Sequence, residues 1–288
     1  MRILYGVQAT GNGHITRART MAPELAQLGI QVDYVFTGRP ADQLFDMAPF
    51  GTYQVRRGLS FCVENGRMNY LKTARQARLR QCIADIKALD THAYDLVITD
   101  FEPITAWAAR RQGTPCIGIG HQYAFAHAVP KAGANPLAEA ILRWFAPAQL
   151  ALGSHWHHFD APILPPLIHT EATMGLDPGA DPNQVLVYLP FENTEQTVRL
   201  LRTIEGYQFH LFCADKPPGQ YGSVHVHPFG RESFQSRLRQ CPSVICNAGF
   251  ELVSEALHLG KRILVKPIAG QMEQASNALA LKRLGLGA

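Results

Sequence analysis

The sequence lacks the features that mark membrane-spanning, secreted and disulfide-stabilised proteins. No stretch approaches the ~20 consecutive apolar residues that a transmembrane helix needs. The N-terminal stretch MRILYGVQATGNGH reaches a glycine turn too early for a signal peptide. The six cysteines include no Cys-x-x-Cys pair and mostly lie in apolar runs. This usage predicts reduced, buried thiols in a cytoplasmic protein.

A metal site is also not indicated. The strongest candidate is the histidine-rich run SHWHHF at residues 154–159. It has no acidic or cysteine partner at the spacing of metal ligands. We therefore expect a polar loop there and no bound metal.

The first glycine loop is incomplete as a dinucleotide-binding motif. It contains Gly11-Asn12-Gly13-His14, but position 16 is Thr where Gly-x-Gly-x-x-Gly would have its third glycine. A lone Gly-x-Gly is weak evidence for a bound dinucleotide. The loop still predicts a tight turn between a strand at residues 2–7 and an amphipathic helix.

Short apolar strands alternate with amphipathic helices along most of the chain. With 288 residues, of which 47% are hydrophobic, the chain is long enough for two domains. A stretch rich in proline and glycine interrupts the alternation before a strand at residues 184–189. We therefore predict an α/β protein with a first domain at residues 1–163, a linker at 164–183 and a second domain at 184–288.

Polar residues follow three predicted strands of the first domain. His14 follows the strand at residues 2–7, Asp100 the strand at 94–99, and His121-Gln122 the strand at 115–119. Parallel strands present their carboxyl ends at one sheet edge, so we expect these residues to converge. Histidine titrates near neutrality and suits a general base, which Asp100 could orient. In the alternative interpretation, His14 only begins a helix and Asp100 caps the helix after Pro103.

The most informative stretch is residues 244–278 of the second domain. Gly249 follows a buried strand and lets a ligand approach the backbone at a helix N-terminus, which favours a diphosphate. Glu255, six residues later, can accept both hydroxyls of a ribose. Glu273-Gln274 begins the next helix and lies four residues before Asn277. Alternatively, these are a structural glycine, a solvated glutamate and an exposed polar turn.

The order of these residues resembles the donor-binding motif of GT-B glycosyltransferases. Plant-type UDP-glycosyltransferases carry His-Cys-Gly-Trp-Asn-Ser-x-x-Glu, then Pro, then Asp-Gln-x-x-Asn-Ala. This sequence has NAGFELVSE at residues 247–255, then Pro267, then EQASNA at residues 273–278. The peptidoglycan lipid-intermediate N-acetylglucosaminyltransferase is similar, with an Asn-Ala-Leu-x-Leu run matched at residues 277–281. A group of uncharacterised bacterial and archaeal glycosyltransferase-like proteins shares the Ala-Gly-Phe-Glu version.

The resemblance implies two doubly wound Rossmann-like domains facing each other across a cleft, with the acceptor in the first and the donor in the second. It implies transfer of a hexosyl or N-acetylhexosaminyl group from a UDP-type donor to a hydroxyl, with inversion, in cell-envelope or polysaccharide synthesis. No cofactor or metal ion is expected, because backbone dipoles stabilise the leaving diphosphate. The implied catalytic residues are His14 and Asp100. The implied acceptor-side residues are Asn12, Gly13, His121 and Gln122. The implied donor-binding residues are Phe229, Asn247, Gly249, Phe250, Glu255, Glu273, Gln274 and Asn277.

Three features depart from the family pattern. Asn247 replaces a histidine that contacts the α-phosphate, and Glu251 brings a negative charge beside the diphosphate. The loop at residues 190–193 contains no glycine where these enzymes usually have a second phosphate loop. The chain also ends one helix after the motif, so we expect the donor domain to lack its last helices.

Basic residues are concentrated in one region, at residues 67–80, which we predict to lie in a long helix at residues 68–89. Such a helix favours contact with anionic lipid or a lipid-linked acceptor, at the inner face of a membrane. A nucleic-acid partner is not indicated, because the basic cluster forms no aromatic-interleaved platform and is accompanied by no recognised binding motif.

Two other functions fit the same residues. A non-hydrolysing nucleotide-sugar epimerase shares the fold, although Glu273-Gln274 favours the sugar recognition of a transferase. A non-catalytic nucleotide-sugar-binding protein would keep Gly249 and Glu255 but would not need His14.

Overall fold

Parallel strands alternate with helices in both halves of the chain. The computed structural model describes residues 1–134, 136–168 and 181–287. The strands are β1 (Arg2–Gln8), β2 (Gln31–Thr37), β3 (Tyr53–Arg56), β4 (Val63–Glu64), β5 (Arg67–Met68), β6 (Leu96–Asp100), β7 (Cys116–Gly120), β8 (Leu150–Gly153), β9 (Gln184–Tyr188), β10 (Gln208–Phe212), β11 (Gly219–Tyr221), β12 (Val224–His227), β13 (Ser243–Cys246) and β14 (Arg262–Val265). The helices are α1 (Asn12–Gln27), α2 (Tyr70–Gln76), α3 (Leu79–Ala88), α4 (Pro103–Gln112), α5 (His121–Ala124), α6 (Pro136–Trp144), α7 (Thr194–Leu201), α8 (Arg231–Gln240), α9 (Phe250–His258) and α10 (Met272–Leu284).

The first unit is built on a parallel sheet with strand order β3-β2-β1-β6-β7-β8. Its central strand β1 is buried on both faces, as expected for a parallel sheet between helices. Ile3, Tyr5 and Val7 pack against α1 on one face, whereas Leu4 packs with Ile104 of α4 on the other. The strand order reverses between the parallel neighbours β1 and β6, and such a reversal opens a crevice at their carboxyl ends.

The second unit has a sheet of order β11-β12-β10-β9-β13-β14, in which β11 pairs antiparallel with β12 and the other pairs are parallel. Val187, Phe209 and Leu211 belong to its hydrophobic core. Here the order reverses between β9 and β13. The loops that follow these two strands therefore begin at the same crevice.

Two short segments of the first half, Val63–Asn69 and Pro130–Gly133, have their contacts in the second unit. The first is a β4–β5 hairpin with Asn65 and Gly66 at its turn, both at positive φ. This is the two-residue turn that Asn-Gly favours. The Gly66 N–H donates to the Phe191 carbonyl at 2.6 Å, and the Met68 N–H donates to the Ala269 carbonyl at 2.9 Å.

The long basic helix predicted at residues 68–89 is wrong. Arg67 and Met68 form strand β5 of the hairpin. The helical residues that follow form two separate helices, α2 and α3. The break lies at Arg78, whose ψ of 66° is incompatible with helical hydrogen bonding.

Most of the predicted linker, residues 169–180, lies outside the described residues. Asn135, the predicted start of α6, also lies outside them. The predicted domain boundaries stay a prediction. No helix among the described residues is long and apolar enough to cross a bilayer.

Candidate active site

His14 lies on the first turn of α1, after the loop that follows β1. Its Nδ1 is 2.6 Å from Oδ1 of Asp100, the last residue of β6. The two residues meet because Val7 of β1 is paired with Asp100 at the strand ends where the sheet order reverses. His14 remains 16% exposed, so part of its ring is accessible.

Asp100 is fully buried, yet it remains ionised. Burial raises the pKa of its carboxyl group, but the charges of Arg17 and His14 and their hydrogen bonds outweigh burial and lower the pKa below its usual range. Arg17 donates from Nε to Oδ2 at 2.7 Å and from Nη2 to Oδ1 at 2.6 Å. The alternative role of Asp100 as a helix cap is wrong. Glu102 caps α4 by accepting from the backbone N–H groups of Ile104 and Thr105.

The other predicted acceptor-side residues divide into two groups. Asn12 and Gly13 are half-buried on the first turn of α1, next to His14 in the chain. His121 and Gln122 of α5 are buried. The His121 ring lies 5.0 Å from the ring of His155, and its Nδ1 is 2.8 Å from the Ser154 carbonyl oxygen. His121 is therefore part of a packed aromatic cluster.

Residues 154–159 were predicted to form a polar loop, but His155 in this stretch is not a solvated side chain. It is buried, with its ring 5.0 Å from the Phe159 ring. Burial, with a smaller effect of His121, lowers the pKa of His155 to about 3. Among the described residues, no group of three or more His, Cys, Asp or Glu is arranged to hold a metal ion.

In the second unit, Gly249 directly precedes α9. A Cβ atom added at Gly249 would meet no atom within 4 Å, so the space beside this helix N-terminus is open. Phe250 and Glu251 on the first turn of α9 are buried. Asn247 lies before this turn, and its Nδ2 donates to the Lys266 carbonyl at 2.9 Å and to Glu192 Oε1 at 3.1 Å.

Glu192 also forms an ion pair with the Lys266 ammonium group. Glu192 comes from the loop after β9, Asn247 from the loop after β13 and Lys266 from the end of β14. These are neighbouring strands, and their carboxyl ends present the three side chains at one edge. Glu192 thus occupies the loop where a glycine-rich phosphate loop was expected, and Lys266 supplies a cation beside it.

Glu255 is buried on α9. Burial raises the pKa of its carboxyl group, although the hydrogen bond donated by Gln235 Nε2 at 3.1 Å to Oε2 opposes this. Phe229 is 41% exposed, and its ring centroid lies 6.0 Å from that of Tyr188. Phe229 is thus accessible to a ligand, whereas Glu255 is only 7% exposed.

The predicted residues of α10 have different positions. Gln274 is buried and accepts a hydrogen bond from the Ile268 N–H at 3.0 Å. Asn277 is fully buried and donates to the Ala248 carbonyl at 2.9 Å. These two side chains hold the loops at the strand ends. Glu273, half-buried on the first turn, is the more accessible of the predicted sugar-binding pair.

Sequence reasoning missed Arg17 and Lys266. Arg17 lies three residues after His14, the spacing that puts two side chains on one helix face. Lys266 directly follows a predicted buried strand, where a charged residue at the strand end is a usable signal. The Asn65-Gly66 pair is likewise a sequence signal for the β4–β5 hairpin.

The whole chain, residues 1–288, matches the family model described as glycosyl transferase family 1. The chain belongs to this family. Solved glycosyltransferase structures share the fold of this family member at low sequence identity. SnogD from Streptomyces nogalater is 18% identical with a TM-score of 0.57, covering 100% of this chain and 86% of its own. MurG from Acinetobacter baumannii is 17% identical with a TM-score of 0.55, covering 99% and 84%.

A third structure is that of SsfS6 from Streptomyces sp. SF2575, complexed with thymidine diphosphate. It is 14% identical with a TM-score of 0.62, and it covers 100% of this chain and 87% of its own. None of the curated proteins matches the chain. The resemblance to GT-B glycosyltransferases and the fold of two Rossmann-like α/β domains are confirmed.

Proposed function

We propose that this glycosyltransferase moves a hexosyl or N-acetylhexosaminyl group from a UDP-type donor to a hydroxyl acceptor with inversion. The observation that carries the proposal is the 2.6 Å contact between His14 Nδ1 and Asp100 Oδ1. If Nδ1–H donates a hydrogen bond to the ionised Asp100, the lone pair on Nε2 is free to act as a base.

The reaction is a single displacement. The acceptor hydroxyl gives its proton to His14 Nε2 while its oxygen bonds to the anomeric carbon. The bond from that carbon to the diphosphate oxygen breaks, and the nucleoside diphosphate leaves with the electron pair. Attack opposite to the leaving group inverts the anomeric centre. Asp100 then stabilises the imidazolium by its negative charge.

The donor would bind at the strand ends of the second unit. Gly249 leaves open space at the N-terminus of α9, where backbone N–H groups favour a diphosphate. Lys266 adds a cation near the same edge and can offset the charge of Glu192. We propose that these groups stabilise the leaving diphosphate without a metal ion or other cofactor.

The remaining donor contacts are assigned from the family motif and, for Phe229 and Glu273, also from their exposure. Glu255 would accept the ribose hydroxyls, Phe229 would stack with the base, and Glu273 would bind the sugar. Gln274 and Asn277 would act by holding the loops they bond. Because SsfS6 was solved with thymidine diphosphate, thymidine is the second nucleoside to test after uridine.

We also propose that the acceptor is a cell-envelope or polysaccharide precursor, and that the protein acts on the cytoplasmic face of a membrane. Exposed apolar and basic side chains alternate on α2 and α3, which suits a surface of anionic lipid. Leu71 is 74% exposed and Leu79 is 59% exposed. Lys72, Arg75 and Arg80 are exposed beside them.

The function is tested by incubating the protein with UDP-sugars and TDP-sugars, with and without hydroxyl acceptors. Release of nucleoside diphosphate that needs both the acceptor and His14, with an inverted product, supports the proposal. Interconversion of UDP-sugars without acceptor would identify an epimerase. Tight binding without turnover would identify a binding protein.

A further inference from the structure

Three neighbouring strands of the second unit end at the same level. Cys246, the last residue of β13, is paired with Tyr188 of β9 on one side and with Val265 of β14 on the other. The next residues continue this ladder, because the Asn247 N–H donates to the Tyr188 carbonyl at 3.3 Å and the Lys266 N–H donates to the Cys246 carbonyl at 2.8 Å. Asn247 and Lys266 therefore have fixed backbone positions at this edge of the sheet.

One carboxylate binds the side chains of both residues. Glu192, in the turn after β9, pairs with the Lys266 ammonium group through Oε2 and accepts from Asn247 Nδ2 at 3.1 Å through Oε1. The Glu192 side chain is only 9% exposed, whereas the Lys266 side chain is 55% exposed. Asn247 Nδ2 also donates to the Lys266 carbonyl at 2.9 Å, which fixes the orientation of the amide. Glu192 thus binds a cation and an amide donor that both lie at the strand ends.

The three residues lie close in the chain to an open helix N-terminus. Gly249, two residues after Asn247, directly precedes α9, and a Cβ atom there would meet nothing within 4 Å. Backbone N–H groups at such a position attract an anion. Asn247 Oδ1 is buried and has no hydrogen-bond partner among the described residues. A buried acceptor without a partner is unusual in a packed core and indicates a role beyond packing.

Charge determines what this edge can bind. A nucleoside diphosphate brings several negative charges, and the nearby Lys266 is already paired with Glu192. Glu251, buried on the first turn of α9, adds a further carboxyl group. When the ion pair opens, the Lys266 ammonium group and Asn247 Nδ2 both become donors for phosphate oxygens. Binding of a diphosphate and closure of the Glu192–Lys266 pair therefore compete.

We propose that Glu192 is a counter-anion that the donor diphosphate displaces from Lys266 and Asn247. Because Glu192 competes for the same cation, it weakens binding of the nucleoside diphosphate product and so speeds its release after transfer, a step that often limits kcat. The inference deepens the proposed function and rests on it for the position of the diphosphate in the second unit.

The direct test is calorimetry of UDP, TDP and inorganic diphosphate with the full-length protein, without an acceptor. Glu192→Gln keeps the size of the side chain and an acceptor for Asn247, but it releases Lys266. It should therefore tighten binding of all three ligands about 2- to 5-fold, the effect of one partly solvated ion pair. Lys266→Met should weaken their binding by a similar factor. In the Lys266→Met background, Glu192→Gln should change the affinities less, because the cation it releases is gone.

Glu195→Gln is the matched control. Glu195, on α7 of the same unit, pairs with Lys216 at 2.5 Å, and its side chain is 60% exposed. This substitution changes the net charge equally and also releases a lysine, but away from the strand ends that carry Asn247 and Lys266. It should leave the affinity for UDP and for inorganic diphosphate unchanged.

Steady-state kinetics gives a second readout, because Glu192→Gln should lower the inhibition constant of the nucleoside diphosphate product by the same factor as its Kd. Unchanged or weaker binding in Glu192→Gln, equal tightening in Glu195→Gln, or an undiminished effect of Glu192→Gln in the Lys266→Met background would overturn the inference. It would also be overturned if neither the wild type nor Glu192→Gln bound any of the three ligands. Failure of the proposed function would appear differently, as absent sugar transfer by a wild type that binds these ligands while the variants show the expected shifts.

Discussion

The hydrogen bond between His14 and Asp100 yields the first prediction at the scale of single residues. General base catalysis contributes about 10²–10⁴-fold, so His14→Ala should lower kcat by that factor with donor binding largely kept. Asp100→Asn should lower kcat less, because the base remains but its orientation and charge stabilisation are lost. The measurement is steady-state turnover of each variant with the donor found in the sugar screen.

The double variant His14→Ala/Asp100→Asn distinguishes a coupled pair from two independent residues. In a coupled pair the second substitution adds little once His14 is gone, so the losses are not additive. If the two fold-losses of kcat instead multiplied in the double variant, Asp100 would act through another group. His14 would then be a residue that only contacts substrate.

Glu255 yields the second prediction. Burial raises the pKa of this carboxyl group, so the folded protein binds the proton more tightly than the unfolded chain. Its ionisation therefore costs stability, and the cost appears as the pH rises above the ordinary range of a glutamate. Glu255→Gln should raise the Tm near pH 7 while weakening UDP binding about 10- to 100-fold, because a charge-assisted hydrogen bond contributes ~1.5–3 kcal/mol.

Glu251→Gln is the control for Glu255→Gln, because Glu251 is also buried on α9 but lies on its first turn. It should not weaken UDP binding, since it removes a negative charge near the diphosphate. Calorimetry with UDP and thermal unfolding without it measure the two effects. Unchanged UDP affinity in Glu255→Gln would assign the ribose to another residue.

Strand ends could be predicted from the sequence, and burial of polar side chains could not. His14 and Asp100 were found because each follows a recognisable strand. Arg17 was not, since an arginine on an amphipathic helix is normally solvated, whereas here its ion pair with Asp100 accompanies burial. Asn277 matched the family motif, but its side chain binds the Ala248 carbonyl. Sequence patterns do not indicate which partner a polar side chain takes.

At the scale of elements, the β4–β5 hairpin depends on the glycine at its turn. Gly66 has φ of 71°, and a Cβ atom there would overlap with the carboxylate oxygens of Glu192. Gly66→Ala should therefore cost the strain of a left-handed residue, about 1 kcal/mol, and in addition displace Glu192. We expect lower thermal stability and faster amide hydrogen exchange at the Ala269 N–H, which donates to Gly66.

Gly113→Ala separates the strain from the displacement. Gly113 has a similar φ of 76°, but a Cβ atom there would meet nothing within 4 Å. Gly113→Ala should thus lose only the ~1 kcal/mol of backbone strain. Equal losses of stability in the two variants would mean that the methyl group added at position 66 does not displace Glu192.

Strands β10 and β12 carry three stacked histidines that predict acid sensitivity of the second unit. His210 lies with its ring 5.2 Å from those of His225 and His227, and its Nδ1 is 3.0 Å from His227 Nε2. Burial, then the charge of Arg237, lowers the pKa of His210 to about 4 and also lowers that of His227. His210 is therefore neutral in the folded protein near pH 6.

The direction of the pH effect follows from the lowered pKa. Between about pH 6.5, where an unfolded histidine titrates, and about pH 4, the unfolded chain binds more protons than the folded one. Stability is thus present above pH 6.5 and is lost as the pH falls to about 4. We expect the loss for His210 to be on the order of 1–2 kcal/mol, since partial solvent access weakens the full effect.

His210→Gln should reduce this pH dependence, and His225→Gln, a half-buried neighbour on β12, should change it less. Chemical denaturation between about pH 7 and pH 4.5 measures both. His155 in the first unit contributes in the same direction, because burial lowers its pKa to about 3. If His210→Gln left the pH dependence of the second unit unchanged, the histidine stack would not be its cause.

At the scale of the whole molecule, the alternation of apolar strands and helices was enough to predict two α/β domains. It could not predict that Val63–Asn69 and Pro130–Gly133 have their contacts in the second unit. Alternation indicates which residues are buried, whereas the first segment is held by backbone hydrogen bonds such as that of Met68 with Ala269. In the second segment, the Ala132 N–H donates to Ser276 Oγ at 3.0 Å. Nor did composition reveal the break at Arg78, because no proline or glycine marks it.

The distribution of charge over the molecule bears on the proposed membrane-binding surface. The chain has a formal net charge of +4, and α2 and α3 combine exposed cations with exposed apolar side chains. Each arginine near an anionic surface contributes about 1 kcal/mol. Reversing two of them, in Arg75→Glu/Arg80→Glu, should therefore weaken binding to phosphatidylglycerol vesicles by at least about 30-fold in a sedimentation assay.

The control must change the net charge equally at another place. Arg199→Glu/Arg283→Glu does so with two exposed residues of the second unit, and should bind such vesicles nearly as well as the wild type. Raising the salt concentration from about 0.1 M to 1 M shortens the electrostatic screening length from ~10 Å to ~3 Å. This should remove the electrostatic contribution to vesicle binding. The apolar contribution, from residues such as Leu71, should persist. Equal weakening by both double variants would make the attraction a property of net charge, and α2 and α3 would then not be the membrane-binding surface.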